Sequence, residues 1–153
     1  EGQDCYCYPN LILRKFIDRL SDNYKYVVMD NEAGMEHLSR GTTQDIDELM
    51  IVSNHSVKGV RTIGRIKGLV KELKLRVKHE SIVISMAPAQ LDPLIVDELE
   101  KLEIQADAIV LQDELIYQYD LQQKSLLDLP DDSASVKAIE RLMSRVVLQE
   151  ASK

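Results

Sequence analysis

Asp30, the pair Cys5 and Cys7, and a basic series from Lys58 to Lys78 are the positions whose types and spacing can do chemistry in this 153-residue sequence. Asp30 closes the run Tyr24-Lys25-Tyr26-Val27-Val28-Met29 and is followed by Glu32-Ala33-Gly34. In open α/β sheets, ligands collect beyond the carboxyl ends of strands. A carboxylate there can hold a magnesium ion through its hydration shell. A glycine just beyond it lets a backbone N–H approach a phosphate oxygen. Asp, Asn and Gly are also ordinary choices for a turn or cap after a strand, and spacing alone favours that plainer reading.

Cys5-x-Cys7 offers thiolates, which suit zinc and other thiophilic ions. Two sulfurs fill half of a tetrahedral site. Two chains across a two-fold axis supply four; without them the pair is two free thiols. The basic series Lys58, Arg61, Arg65, Lys67, Lys71, Lys74, Arg76 and Lys78 can meet phosphate groups or an acidic partner, but reads first as the solvated face of an amphipathic helix. His37, His55 and His79 are scattered without an i, i+4 pair, so no histidine metal site is expected. No Ser-His-Asp or Cys-His arrangement emerges.

These residues need elements to hold them. Leu13, Phe16, Ile17 and Leu20 predict an amphipathic helix over Pro9–Leu20, ended by Asp22-Asn23. Apolar, β-branched runs predict strands at Lys25–Met29, Leu49–Ser53, Ser81–Ser85 and Ala106–Val110. Between the second and third, Val57, Val60, Ile63, Ile66, Leu69, Val70 and Leu73 keep a helical period over Ser56–Leu73. Asp92-Pro93 is an N-cap followed by proline at the first helical position, opening a helix with Ile95, Val96, Leu99 and Leu102. Asp132-Ser133 caps a last helix whose apolar side carries Val136, Ile139, Leu142, Met143 and Val146. Strands alternating with helices imply a three-layer α/β fold, a parallel sheet with helices on both faces, in a single domain over residues 1–153.

Composition narrows the class. Hydrophobic residues make up 44% of the chain, enough for a core, and 29% are charged. No apolar run is long enough to span a bilayer, and Glu1–Asp4 do not begin a signal peptide. A net charge of −7 disfavours nucleic acid. Two cysteines separated by one residue are no secreted disulfide framework, so a reducing, cytoplasmic setting is expected.

Cys5-Tyr6-Cys7, then Tyr26-Val27-Val28-Met29-Asp30-Asn31-Glu32-Ala33-Gly34-Met35-Glu36-His37-Leu38-Ser39-Arg40, resembles the nickel-insertion accessory ATPases of carbon monoxide dehydrogenase. Ile51-Val52-Ser53, Ser56-Val57-Lys58-Gly59-Val60-Arg61 and Leu126-Leu127-Asp128-Leu129-Pro130-Asp131-Asp132-Ser133 continue the likeness. That family is similar to the septum-site-determining ATPases and the nitrogenase iron protein. The resemblance implies a P-loop fold and a homodimer with ATP and Mg2+ at its interface. It implies Ni2+ or Zn2+ held by Cys5 and Cys7 of each subunit, and carbon monoxide dehydrogenase as partner. It also implies that Asp30 is linked to magnesium and that Gly34 senses the γ-phosphate.

The sequence departs from the family in two places. No glycine-rich loop with its lysine occurs in these residues, and that loop supplies the phosphate cradle. The first residue is Glu1, and the expectation is the C-terminal part of a longer chain, inactive as an ATPase by itself. The family strand leading into that loop lies between the strand ending at Asp30 and the strand at Leu49–Ser53, so without it the chain is expected to close the gap, exchange strands between chains or leave edges exposed. Ser85-Met86 also stands where the family has Asn-Arg, which puts Ser85 at the base-recognition position; Leu111 replaces a common proline. Two other functions remain open: a nucleotide-independent regulatory or scaffold module, and a partitioning-type ATPase at a membrane, for which the last helix is a weak anchor.

Overall fold

The structure is a computed structural model that describes residues 45–151, residues 23–31 and, nearer the N-terminus, residues 12, 15–17, 19 and 20, without the side chains of 147–151. In order, the elements from residue 45 are β1 (Asp45–Asn54), α1 (Val57–Glu72), β2 (Arg76–Ala87), α2 (Pro93–Lys101), β3 (Ala108–Leu111), α3 (Glu114–Leu121), a 3₁₀ turn (Leu126–Asp128) and α4 (Ala134–Ala151). The strands form one parallel sheet in the order β1-β2-β3. Two compact units divide the chain: residues 1–47 with 66–78, and residues 48–65 with 79–153.

In the first unit the starts of β1 and β2 pair through charge. The Arg76 guanidinium donates to both oxygens of Asp45, at 2.5 and 2.6 Å, and Lys78 pairs with Asp47. Alternate residues of a strand share a face, and partners that rise in step, 45 with 76 and 47 with 78, mark parallel strands. These pairs are exposed, so each contributes little to stability. Val70 of α1 is buried. The helix ends at Lys74, which takes a left-handed backbone (φ 53°) while the Leu75 N–H reaches the Val70 carbonyl at 3.2 Å. This bond, with the left-handed residue, is a Schellman stop.

Among the described residues, most of the buried hydrophobic side chains belong to the second unit. Ile63, Ile84 and Val60 are its most completely buried large side chains, with Ile51, Val83 and Ile95 around them. Ser81-Ile82-Val83-Ile84 are four successive buried residues, the pattern of a central parallel strand covered on both faces. β2 pairs with β3 through Val83↔Ala108, Ile84↔Ile109 and Ala87↔Leu111. Three steps on β2 match two on β3, so β2 carries one extra residue, a bulge. Met86 takes up that residue with φ 53°. At the other end of β3, Asp107 Oδ2 accepts the Ile82 N–H at 2.8 Å and the Asp107 N–H donates to Ile82 O at 2.8 Å. α4 lies against β3, with Leu142 buried and Arg145 donating to the Asp107 carbonyl.

One predicted strand is corrected. Residues 26–31 have no strand assignment, and Val28 is 86% exposed. A β-branched run becomes a strand only when a neighbour satisfies its N–H and C=O groups, and the described residues offer this one no ladder partner. The other strands are borne out with shifted bounds. Leu49–Ser53 extends to Asp45–Asn54 and Ser81–Ser85 to Arg76–Ala87; Ala106–Val110 becomes Ala108–Leu111. α1 matches its predicted span closely, and the predicted helix over Pro9–Leu20 is helical at each of its described positions.

Candidate functional site

The carboxyl edge of the parallel sheet is where this architecture positions a ligand. In the second unit that edge consists of the end of β1 and the turn after it (Ser53 to Ser56), the end of β2 and the residues after it (Ser85 to Ala89), and the residues after β3 (Gln112 and Asp113).

After β1 the chain turns sharply into α1. Ser56 Oγ accepts the Gly59 N–H at 3.0 Å, as an N-cap does, and donates to Asn54 Oδ1 at 2.7 Å. Ser53 Oγ donates to the Asn54 carbonyl at 3.1 Å. Helix and turn approach so closely that a Cβ on Gly59 would stand 2.6 Å from Asn54 Oδ1 and 2.8 Å from Asn54 O. Between them His55 has a buried Nδ1 with no hydrogen-bond partner.

Near the end of β2 lies Ser85, half-buried, its hydroxyl donating to the Ser53 carbonyl at 3.2 Å. The hydroxyl at the predicted base-recognition position is therefore engaged with the neighbouring strand. Met86 follows, exposed and in the left-handed region. The hydroxyls of Ser53, Ser56 and Ser85 at this edge are thus all engaged within the protein.

After β3 comes Asp113, which the sequence reading did not single out. Its Oδ1 accepts the Leu115 N–H at 3.0 Å and caps α3. Its Oδ2 accepts the Ser133 hydroxyl at 2.8 Å and the Ser135 hydroxyl at 2.6 Å. Both serines are buried. Hydrogen bonds from Ser135 and then Ser133 hold the Asp113 carboxyl down at about 2; burial opposes them, and the backbone N–H groups of Leu115 and Ser135 add to them. The signals in sequence were an acidic pair, Asp113-Glu114, ahead of a short helix, and Ser133-x-Ser135 at the start of another.

Of the predicted site residues, Ser85 lies in the second unit and Asp30 in the first. Asp30 is exposed and lies in neither a helix nor a strand. Cys5, Cys7 and Gly34 lie outside the described residues. Among the described residues no group of three or more His, Cys, Asp or Glu is placed to hold a metal ion. Part of the basic series is used internally. Arg61 Nε donates to the buried Glu98 at 2.7 Å and Nη2 donates to it at 3.3 Å. These bonds from Arg61 lower the Glu98 carboxyl below its usual range against the effect of burial. The predicted Asp92 cap is present, with Oδ1 accepting the Leu94 N–H at 2.8 Å. Among the described residues no helix is long and apolar enough to cross a membrane.

No family model matches the chain. It is 34% identical over 147 residues to one ATP-binding protein of Methanocaldococcus jannaschii, covering 96% of this chain and 58% of that one. A second ATP-binding protein of that organism is 26% identical over 148 residues, covering 95% and 56%. The carbon monoxide dehydrogenase accessory protein CooC of Rhodospirillum rubrum is 32% identical over 76 residues, 49% of this chain and 29% of that one. The chain therefore spans a little over half the length of the first two relatives. Among solved structures, a ParA family ATPase from Chlorobium tepidum superposes with a TM-score of 0.67 at 26% identity, covering 82% of this chain and 52% of that one. The MinD cell division protein of Aquifex aeolicus gives 0.63 at 18% identity, covering 88% and 61%, a likeness of fold alone.

Proposed function

We propose that this chain, a homologue of ATP-binding proteins and of CooC with the fold of the ParA and MinD P-loop ATPases, is part of a metallochaperone ATPase that assists nickel insertion into carbon monoxide dehydrogenase. The observation that carries this reading is the 32% identity over 76 residues to the accessory protein, taken together with the resemblance of Cys5-Tyr6-Cys7 and of Tyr26 to Arg40 to the nickel-insertion ATPases. In this reading Cys5 and Cys7 of two chains bind one Ni2+ or Zn2+ ion. Four thiolates match a closed tetrahedral site. The whole protein works as a cytoplasmic homodimer with ATP and Mg2+ at the interface; Asp30 is linked to the magnesium and Gly34 to the γ-phosphate.

These 153 residues hold no glycine-rich phosphate loop, so the chain by itself is expected to release no phosphate from ATP. With its proton committed to the Ser53 carbonyl, the Ser85 hydroxyl is left to meet a base only as an acceptor. That same bond favours a second reading, a nucleotide-independent regulatory or scaffold module on the same fold.

The test is nickel transfer. The nickel-loaded chain is mixed with nickel-free carbon monoxide dehydrogenase, and recovery of carbon monoxide oxidation is followed against free nickel at the same concentration. Recovery faster than with free nickel, lost in Cys5→Ser/Cys7→Ser, supports the reading. Equal recovery with the chain, the variant and free nickel contradicts it.

A further inference from the structure

α3 and the 3₁₀ turn after it are built unlike the rest of the second unit. α3 has eight residues and none is buried. A helix so short is marginal in water without an apolar face packed against something. Polar stitches hold it instead. Asp113 caps its first turn. The Tyr119 hydroxyl donates to the Asp128 carbonyl at 3.1 Å, and the Lys124 N–H donates to Tyr119 O at 2.9 Å. Ser125 Oγ accepts the Leu127 N–H at 3.2 Å, and Asp113 reaches on to Ser133 beyond the turn.

Four apolar side chains of this segment face outward. Leu127 is 95% exposed, Leu121 64%, Tyr117 58% and Leu126 51%. Single exposed leucines need no explanation, whereas a group of them on a fixed support marks an interaction surface. Its surround is strongly acidic. Residues 114–132 carry five exposed carboxylates and one cation, Lys124. That cation lies over the Tyr119 ring, 5.5 Å from its centroid.

We propose that α3 and the 3₁₀ turn form a docking surface for a partner protein whose contacting face is apolar and basic. The charge pattern selects this occupant. A second copy meeting the same face across a two-fold axis would set five carboxylates against five. An anionic membrane surface would be repelled for the same reason. A basic amphipathic segment covers the leucines and meets the carboxylates together. The inference stands on this face alone and needs neither nucleotide nor metal at the sites discussed above.

The probe is a labelled synthetic amphipathic helix of leucine and lysine, titrated into the full chain by fluorescence anisotropy, with a leucine–glutamate helix as its counterpart. Leu121→Ser and Leu127→Ser change exposed positions and leave the fold in place. Each is expected to weaken binding of the basic helix about tenfold, the loss that follows when a buried leucine contact is removed. Asp120→Asn/Asp128→Asn is expected to flatten the salt dependence, while Asp97→Asn/Glu100→Gln, on α2, leaves binding unchanged. The proposal is overturned if the basic helix does not bind, if Leu127→Ser binds it as tightly as the parent, or if the α2 pair weakens it equally. It is also overturned if Leu127→Ser abolishes self-association of the chain or its binding to anionic vesicles.

Discussion

The Ser135 hydroxyl donates to Asp113 Oδ2 across 2.6 Å, and the same oxygen accepts the Ser133 hydroxyl at 2.8 Å. One carboxylate therefore closes the excursion that leaves the sheet after β3 and returns at α4. It caps α3 with one oxygen and gathers the start of α4 with the other. A carboxylate that accepts several hydrogen bonds resists protonation, because its proton would displace a donor.

This bond set makes stability depend on acid. The Asp113 carboxyl is lowered from 3.8 to about 2. Between those values the unfolded chain binds more protons than the folded one, so stability rises with pH. The contribution is fully present above about 4 and is lost as pH falls through about 2. After solvent screening it is on the order of 1 kcal/mol. Urea unfolding at a series of pH values is expected to show this slope, and Asp113→Asn is expected to remove it while lowering stability at neutral pH.

Three helices end on left-handed residues that are not glycine: Lys74, Glu103 and Gln123, with φ of 53°, 52° and 53°. Each is followed by the Schellman bond, Leu75 to Val70, Ile104 to Leu99 and Lys124 to Tyr119. A side chain in this region costs roughly 1–2 kcal/mol, against about 0.5–1 kcal/mol for the greater freedom of glycine in the unfolded chain. Lys74→Gly, Glu103→Gly and Gln123→Gly are each expected to stabilise the chain by about 0.5 kcal/mol. Denaturant midpoints that move up at all three positions would bear this out.

Gly59 is fixed by space rather than by backbone angle. A Cβ there would meet the Asn54 carbonyl oxygen at 2.8 Å, a backbone atom that can yield only by moving the turn. Gly59→Ala is expected to cost about 1–3 kcal/mol, the usual range for overpacking. Thermal melts should show it, whereas Gly68→Ala, where nothing lies within 4 Å, should be neutral or stabilising.

How much of this was legible in the sequence depends on whether the cause is local. α1 was legible because seven apolar residues keep one helical period, and α2 because Asp92-Pro93 is a cap written in two residues. The centres of β1 and β2 were legible as β-branched runs. Their starts were not, because Asp45 and Asp47 stand opposite Arg76 and Lys78, and a ladder of alternating charges looks like a loop until its partner is known. The ends of α1, α2 and α3 carry no glycine to announce them. α3 has no buried stripe to betray it. Asp113 acquires its partners from about twenty residues away, beyond any local pattern. Lys25–Met29 failed in the opposite direction, since strand composition is not a strand without a neighbour to pair with.

The metal proposal is tested most directly by titrating Ni2+ and Zn2+ into the purified chain and into Cys5→Ser while following molecular mass in solution. Thiols with pKa near ~8.5 must lose their protons to bind, so affinity should fall as pH is lowered. The expected result is one ion per two chains, with binding and dimer lost together in Cys5→Ser. Binding by monomers, or binding that the substitution leaves unchanged, would contradict it.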